Sequence, residues 1–261
     1  MTLVIRNSVK ERLARGEVAA SMTVRLTRGI EIARLAATAG FDSLYVDLEH
    51  SSLSLETTSQ ICIAALNVGI APFVRVPQLE IVGRILDGGA LGIIVPDVRT
   101  MAQAHAAVKA AKYPPLGERG FATALPHFEF RSLPAREAYP VLDAATMVIV
   151  QFESAEAIDN AEAIFATEGV DMALFGTNDL TADMGIPGDY ENPRVRDAYA
   201  RAIAAAKKHG KHVGVGGLGS QPKLIAEFVK MGARYVSTGT DLGFLLSAAT
   251  AQAKQVRALE T

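Results

Sequence analysis

A single cysteine, Cys62, stands in the whole 261-residue chain, so an internal disulfide framework is excluded. It lies in the apolar run ICIAAL, which makes it a small core residue rather than a nucleophile and fits a reducing compartment. Charge of one sign is also lacking: 26 Lys and Arg face 28 Asp and Glu, for a net charge of −2. That balance leaves no electrostatic footprint for nucleic acid or for an anionic membrane, so neither is expected as a partner. No apolar run reaches membrane-spanning length, and the charged start MTLVIRNSVKERLARGE lacks the apolar centre of a signal peptide. A cytoplasmic protein is expected. Low-complexity linkers and shifts of composition are absent too, so residues 1–261 read as one domain.

What is present is a repeat of short β-branched or aliphatic runs with longer segments of helical period, the pattern of βα units. The strand candidates are 19–24, 43–48, 71–76, 92–96, 147–152, 172–176, 212–216 and 235–239. Ala- and Leu-rich segments such as IEIARLAATAG and QPKLIAEFVKMGA lie between them, several ending in glycine as helices commonly do. Strands this apolar are buried on both faces, which predicts an α/β protein closed as a (β/α)₈ TIM barrel; an open doubly wound sheet is the second choice. The long stretch YPPLGERGFATALPHFEFRSLPAREAYP before the fifth strand is a candidate cover for the active site.

In such a barrel the chemistry sits at the C-terminal ends of the strands, and the polar residues collect there. Asp47, Glu49 and His50 follow the second strand, Arg75 the third, Gln151 and Glu153 the fifth, and Asp179 the sixth. Glu153 and Asp179 are hard oxygen ligands suited to Mg²⁺, Mn²⁺ or another divalent ion, although an acid just after a strand also serves as a helix cap. Histidine as a residue type changes charge near neutral pH, so His50 suits acid–base work, with Asp87 in RILDGGA as a candidate partner carboxylate. Arg75 offers a planar fork of donors for a carbonyl or enolate oxygen. His127, in the long stretch, is a possible pocket residue. No strand candidate ends in lysine, which speaks against a Schiff-base aldolase. GVGGLG at Gly214–Gly219 imitates a dinucleotide fingerprint but lies in the seventh βα unit, where it reads better as a tight turn or an anion-facing loop.

With these residues assembled, the chain resembles the HpcH/HpaI aldolase family, the metal-dependent pyruvate aldolases. The motifs run nearly from end to end: AGFDSLYVDLEHS, VRVP, ILDGGALGIIVP, KYPPLGERG, VIVQFES, EGVDMALFGTNDLTADMG and GARYVSTGTD. The resemblance implies reversible cleavage of a 4-hydroxy-2-oxo acid to pyruvate, or a close analogue, and an aldehyde through a metal-stabilised enolate, with oxaloacetate decarboxylation as a possible side activity. It implies a divalent metal (Mg²⁺, Mn²⁺ or Co²⁺) on Glu153 and Asp179, pyruvate supported by Gln151 and by the backbone at Gly176, Thr177 and Asn178, and Arg75 on the keto or enolate oxygen. It further implies a His50–Asp87 dyad, Glu49 near the metal's water shell, and a homo-hexamer, a trimer of dimers, that exchanges its last helix. Two segments depart from the family pattern: ASMTVRLTRG at the first strand and GVGGLGS at the seventh. Arg25 or Arg28 is therefore expected to favour an acidic or highly hydroxylated acceptor. The competing readings are a lyase of acyl-CoA thioesters, which calls for a basic surface, and a non-catalytic 2-oxo-acid binding protein, which has no use for a dyad.

Overall fold

The computed structural model describes the backbone of residues 4–260 and the side chains of residues 4–259. Eight parallel strands close into a barrel in sequence order: β1 (Ala19–Val24), β2 (Ser43–Asp47), β3 (Ala71–Arg75), β4 (Gly92–Val95), β5 (Met147–Phe152), β6 (Met172–Gly176), β7 (His212–Gly216) and β8 (Tyr235–Thr240), with β8 pairing back onto β1. Each lies within a residue of where the apolar runs place it. The helices are α1 (Ser8–Ala14), α2 (Glu31–Thr38), α3 (Leu55–Val68), α4 (Val82–Asp87), α5 (Met101–Ala111), α6 (Ala135–Ala145), α7 (Ala155–Asp159), α8 (Ala161–Ala166), α9 (Thr177–Asp183), α10 (Pro193–Lys208), α11 (Pro222–Met231) and α12 (Asp241–Arg257). Among the described residues no helix is long and apolar enough to cross a membrane.

Side chains alternate along a strand, so each strand feeds two cores. Val24, Val46, Val74, Val148, Val150, Ala173, Phe175 and Val215 pack outward against the helices. Ala19, Tyr45, Phe73, Met147, Ile149, Met172, Leu174 and Tyr235 fill the interior. The inward series change character along their length: Ala19, Ser21, Thr23 and Arg25; Ser43, Tyr45 and Asp47; Ala71, Phe73 and Arg75; Met147, Ile149, Gln151 and Glu153. They are mostly apolar where the strands begin and polar where they end. This gradient places the chemistry at one mouth of the barrel.

The other mouth is plugged. Asn7 caps α1 through Val9 N and Lys10 N and donates from Nδ2 to Ala145 O at 2.8 Å, which sets Val9 and Leu13 into the interior core. The long stretch before β5 lies at this same end, because α5 runs back to where the next strand starts. Its Tyr113, Leu125 and Phe128 form a small core with Ala138 and Leu142 of α6. None of the residues it contributes lines the polar mouth of its own chain, where it forms a packed bottom layer and not the expected cover.

His127 belongs to that layer. Its Nε2 donates to Ala90 O at 3.0 Å, since a carbonyl oxygen can only accept, and its buried Nδ1 has no partner among the described residues. Burial first, then the nearby Arg119 charge, push the ring down to about 4, against help from the Ala90 carbonyl and Asp87. The unfolded ring binds its proton near the ordinary 6.5, so between those values the unfolded state holds more protons and stability falls as the pH falls. With the ring partly exposed, about 1–3 kcal/mol is expected from this group. Urea unfolding at pH 7 and at about pH 4 should show the wild type losing that much more stability than His127→Gln. Parallel losses contradict this account.

Candidate active site

Asp47 organises the polar mouth. It stands level with Arg75 in the β2–β3 register, and both side chains point inward. Arg75 grips it with two hydrogen bonds, Nε to Oδ1 at 2.9 Å and Nη2 to Oδ2 at 2.7 Å. Arg25 Nε adds a third at 2.6 Å to Oδ2, and the amides of Glu49 and His50 donate to Oδ1 at 3.1 and 3.2 Å. Burial alone raises the Asp47 carboxyl, but the Arg75 hydrogen bonds, the two guanidinium charges and the His50 amide together hold it below the ordinary carboxylate range. The same amide contacts fix the turn that carries Glu49 and His50.

Arg75 is buried, and its remaining charge contact is Nη1 to Glu49 Oε2 at 2.8 Å. Burial disfavours its charge, yet Asp47 and Glu49 keep it protonated at all working pH. Two of its five N–H donors are hydrogen-bonded to Asp47 and Nη1 is ion-paired with Glu49, which leaves at least two donors for the cavity. His50 is open to solvent, 57 % exposed at its side chain, with Nε2 3.8 Å from Glu49 Oε2.

Glu153 faces this group from β5. Oε2 accepts from Asp97 N at 2.9 Å and Oε1 accepts from Gln151 Nε2 at 3.0 Å. Burial, opposed by the Asp97 amide and reinforced by the negative charge of Asp179, pushes its carboxyl up to about 7. Gly176 lets Glu153 occupy that place: a Cβ there would lie 2.3 Å from Oε1. The buried Oε1 of Gln151 has no partner among the described residues. Asn178 and Asp179 lie in the first turn of α9 and are exposed to the opening, whereas Thr177, which begins the helix, is buried and bonded to Tyr199 and Gly216 O.

The residues enclose a cavity of about 550 Å³ that includes Arg25, His50, Arg75, Gln151, Glu153 and Asp179. A recess of about 280 Å³ beside it adds Glu49, Asp97, Arg99 and Asp183 to His50, Glu153 and Asp179. Among the described residues no lysine lines either space, and Cys62 is fully buried in the helix layer with its thiol pushed up to about 12 by that burial. Neither residue supplies a nucleophile here. The glycines of GVGGLG serve packing and turning: Gly217 adopts a positive φ of 78°, and a Cβ on Gly219 would meet Thr238 O at 2.2 Å.

Three expected residues fall elsewhere. Asp87 ends α4, at the end of the barrel where β4 starts, and its Oδ1 accepts from Arg119 Nη2 at 2.7 Å. It does not meet the His50 of its own chain. His127 packs in the bottom layer and does not line the cavity. Arg28 points outside, donating to Leu26 O and to Ser52 Oγ. The organising role of Asp47 was missed, although its place as the last inward position of β2 was the available signal. Asp241 was also missed: it accepts from the amides of Arg25, Leu26 and Thr27 at 3.0, 3.0 and 2.7 Å, and thereby fixes the loop after β1.

A (β/α)₈ barrel whose mouth joins an arginine fork to paired acids, with no lysine, is the frame of a carbon–carbon lyase that needs no Schiff base. The chain matches the profile of the HpcH/HpaI aldolase/citrate lyase family over residues 28–248, and it belongs to that family. It is 42 % identical to a 4-hydroxy-4-methyl-2-oxoglutarate aldolase of Hapsidospora irregularis, over 84 % of this chain and 82 % of that one. It is 35 % identical to a 5-keto-4-deoxy-D-glucarate aldolase of Klebsiella pneumoniae, over 94 % of both. The crystal structure of an HpcH/HpaI aldolase from Desulfitobacterium hafniense superposes with a TM-score of 0.89 at 30 % identity, over 95 % of this chain and 96 % of that one. The protein is thus an aldolase of the 2-oxo-acid type.

Proposed function

We propose that the protein reversibly cleaves a 4-hydroxy-2-oxo acid to pyruvate, or a close analogue, and a carbonyl acceptor, with a divalent metal held by Glu153 and Asp179. The observation that carries the proposal is Glu153: its buried carboxylate lines the same cavity as Asp179 and Gln151, whose buried Oε1 has no partner among the described residues, so three side chains bring oxygens to one place. Among the described residues no group of three or more His, Cys, Asp and Glu could hold a metal. Two carboxylates suit an ion that keeps water and leaves positions open for substrate oxygens. A divalent ion held there, Mg²⁺, Mn²⁺ or Co²⁺, would supply Lewis acidity to the keto group of the bound acid.

The protein's own residues do the rest. The two spare N–H donors of Arg75 hold the keto oxygen and stabilise the negative charge that gathers on it when the carbon–carbon bond breaks. Asp47 and Glu49 keep that guanidinium from turning away. The carboxylate of the 2-oxo acid lies against the backbone at Gly176, Thr177 and Asn178, within reach of the Gln151 amide. His50, exposed at the rim beside Glu49, takes the proton of the 4-hydroxyl during cleavage and returns it during addition. A dyad of His50 with Asp87 requires the Asp87 of a second copy.

The same reading includes a homo-oligomer, a hexamer as the resemblance implies. Leu245 and Leu246 of α12 are 62 % and 63 % exposed, and Leu242 and Phe244 are exposed as well, an apolar face that exchange of this helix between copies would cover. The activity is tested by incubating the protein and pyruvate with a panel of aldehydes and 2-oxo acids, with Mg²⁺, Mn²⁺ or Co²⁺ or with EDTA. New 4-hydroxy-2-oxo acid is expected with metal and not with EDTA. Equal product in both arms contradicts the proposed metal.

A further inference from the structure

The fork of Arg25 has work left to do. Its Nε is tied to Asp47 Oδ2 at 2.6 Å, but among the described residues neither Nη group has a hydrogen-bond partner. The residue lines the cavity with its side chain 38 % exposed. Its backbone is clamped by Asp241, and its side chain is clamped by Asp47. This is a guanidinium held in place at both ends, with four N–H donors presented to the cavity and none consumed by the protein.

Its position relative to the reacting atoms narrows what it holds. Arg25 Nε and Arg75 Nη2 donate to the same oxygen of Asp47, at 2.6 and 2.7 Å. At most about 5 Å therefore separates these nitrogens. Arg75 holds the keto oxygen of pyruvate, and the new bond forms at the methyl carbon two bonds away. An attacked carbonyl carbon sits about 3–3.5 Å from that methyl carbon, and its substituent lies one bond further, within the span of the two guanidiniums. A planar fork prefers a planar anionic edge with two acceptor oxygens, and a carboxylate supplies one.

We infer that Arg25 binds a carboxylate attached to the reacting carbonyl carbon of the acceptor, so that the preferred acceptor is a 2-oxo acid such as glyoxylate or a second pyruvate rather than a neutral aldehyde. The inference rests on the aldolase reading above and names its acceptor class. In the condensation, pyruvate loses one methyl proton, its methyl carbon bonds to the acceptor carbonyl carbon, and the carbonyl oxygen takes one proton to become the hydroxyl. Atoms and charge balance without oxidant or reductant. The product is a dicarboxylic 4-hydroxy-2-oxo acid.

The test uses the metal-loaded protein at saturating pyruvate with glyoxylate and with glycolaldehyde, which differ little in size. Glyoxylate is the more electrophilic, so the change in the ratio of the two kcat/KM values is read rather than the ratio itself. Arg25→Gln is expected to lower the glyoxylate-to-glycolaldehyde ratio about 100-fold, and Arg25→Lys to keep it within about tenfold of wild type. In the wild type, raising NaCl from roughly 50 to 500 mM is expected to raise the glyoxylate KM several-fold and leave that of glycolaldehyde in place, a readout that needs no variant. A purely structural role through Asp47 slows both acceptors alike, and an unmoved ratio overturns the inference. So does a wild type that takes a phosphorylated aldehyde in preference to glyoxylate. Exchange of the pyruvate methyl protons without any of these acceptor effects leaves the aldolase reading standing and removes only the role of Arg25; absence of exchange removes both.

Discussion

Glu153→Gln is expected to lower metal-dependent turnover by about three orders of magnitude or more while the barrel stays folded. The replacement keeps the volume of the side chain and removes the charge. Glutamate here is charged at a cost, since burial and Asp179 push its carboxyl up to about 7. Without a cation the glutamine is easier to bury than the ionised acid above that pH, so metal-free Glu153→Gln should unfold in urea no more readily than the metal-free wild type at pH 8. One of its two contacts, with Asp97 N or Gln151 Nε2, must weaken, because an amide has a single acceptor oxygen. That loss is about 1 kcal/mol and is offset by the removed charge. The expected pattern is therefore separation of activity from stability, read by turnover and by urea unfolding of the same preparation. Activity within tenfold of wild type would remove Glu153 from the metal site.

Arg75→Lys carries the second large effect, and in it the two quantities fall together. The guanidinium spans Asp47 through two nitrogens and Glu49 through the third, and both carboxylates depend on it. A lysine ammonium is a point donor and cannot bridge both. Asp47 is fully buried and would retain only Arg25 and two amides, so a loss of about 2–4 kcal/mol of folding stability is expected. The keto oxygen loses its two spare N–H donors at the same time, and kcat is expected to drop about 100- to 1,000-fold. Steady-state kinetics and urea unfolding check the two figures. A variant within fivefold of wild-type kcat contradicts the assignment of Arg75 to the developing oxyanion.

The barrel was legible because its cause is local. Eight apolar runs separated by helical segments leave few other ways of burying both faces of a parallel sheet, and every strand emerged within a residue of its run. The cavity residues at the strand ends were legible for the same reason, since strand parity sends Asp47, Arg75, Gln151 and Glu153 inward once the barrel is granted. Parity also separates Arg25 from Arg28: Arg25 continues the inward series of Ala19, Ser21 and Thr23, while Arg28 follows the turn. What was not legible depends on which end of the barrel a segment occupies. Asp87 and the long stretch containing His127 carry the polar and aromatic residues expected near a site, yet both join a helix to the start of a strand. Chain direction places them at the plugged mouth.

Pyruvate that forms an enolate at this mouth, with a divalent ion on Glu153 and Asp179 as proposed, exchanges its methyl protons with solvent. Deuterium exchange into the pyruvate methyl group, followed by NMR without any acceptor, tests it most directly. Exchange is expected with Mg²⁺, Mn²⁺ or Co²⁺, with its loss in EDTA and its return when metal is restored. Tight binding of pyruvate with no exchange in the presence of any of these ions would contradict it.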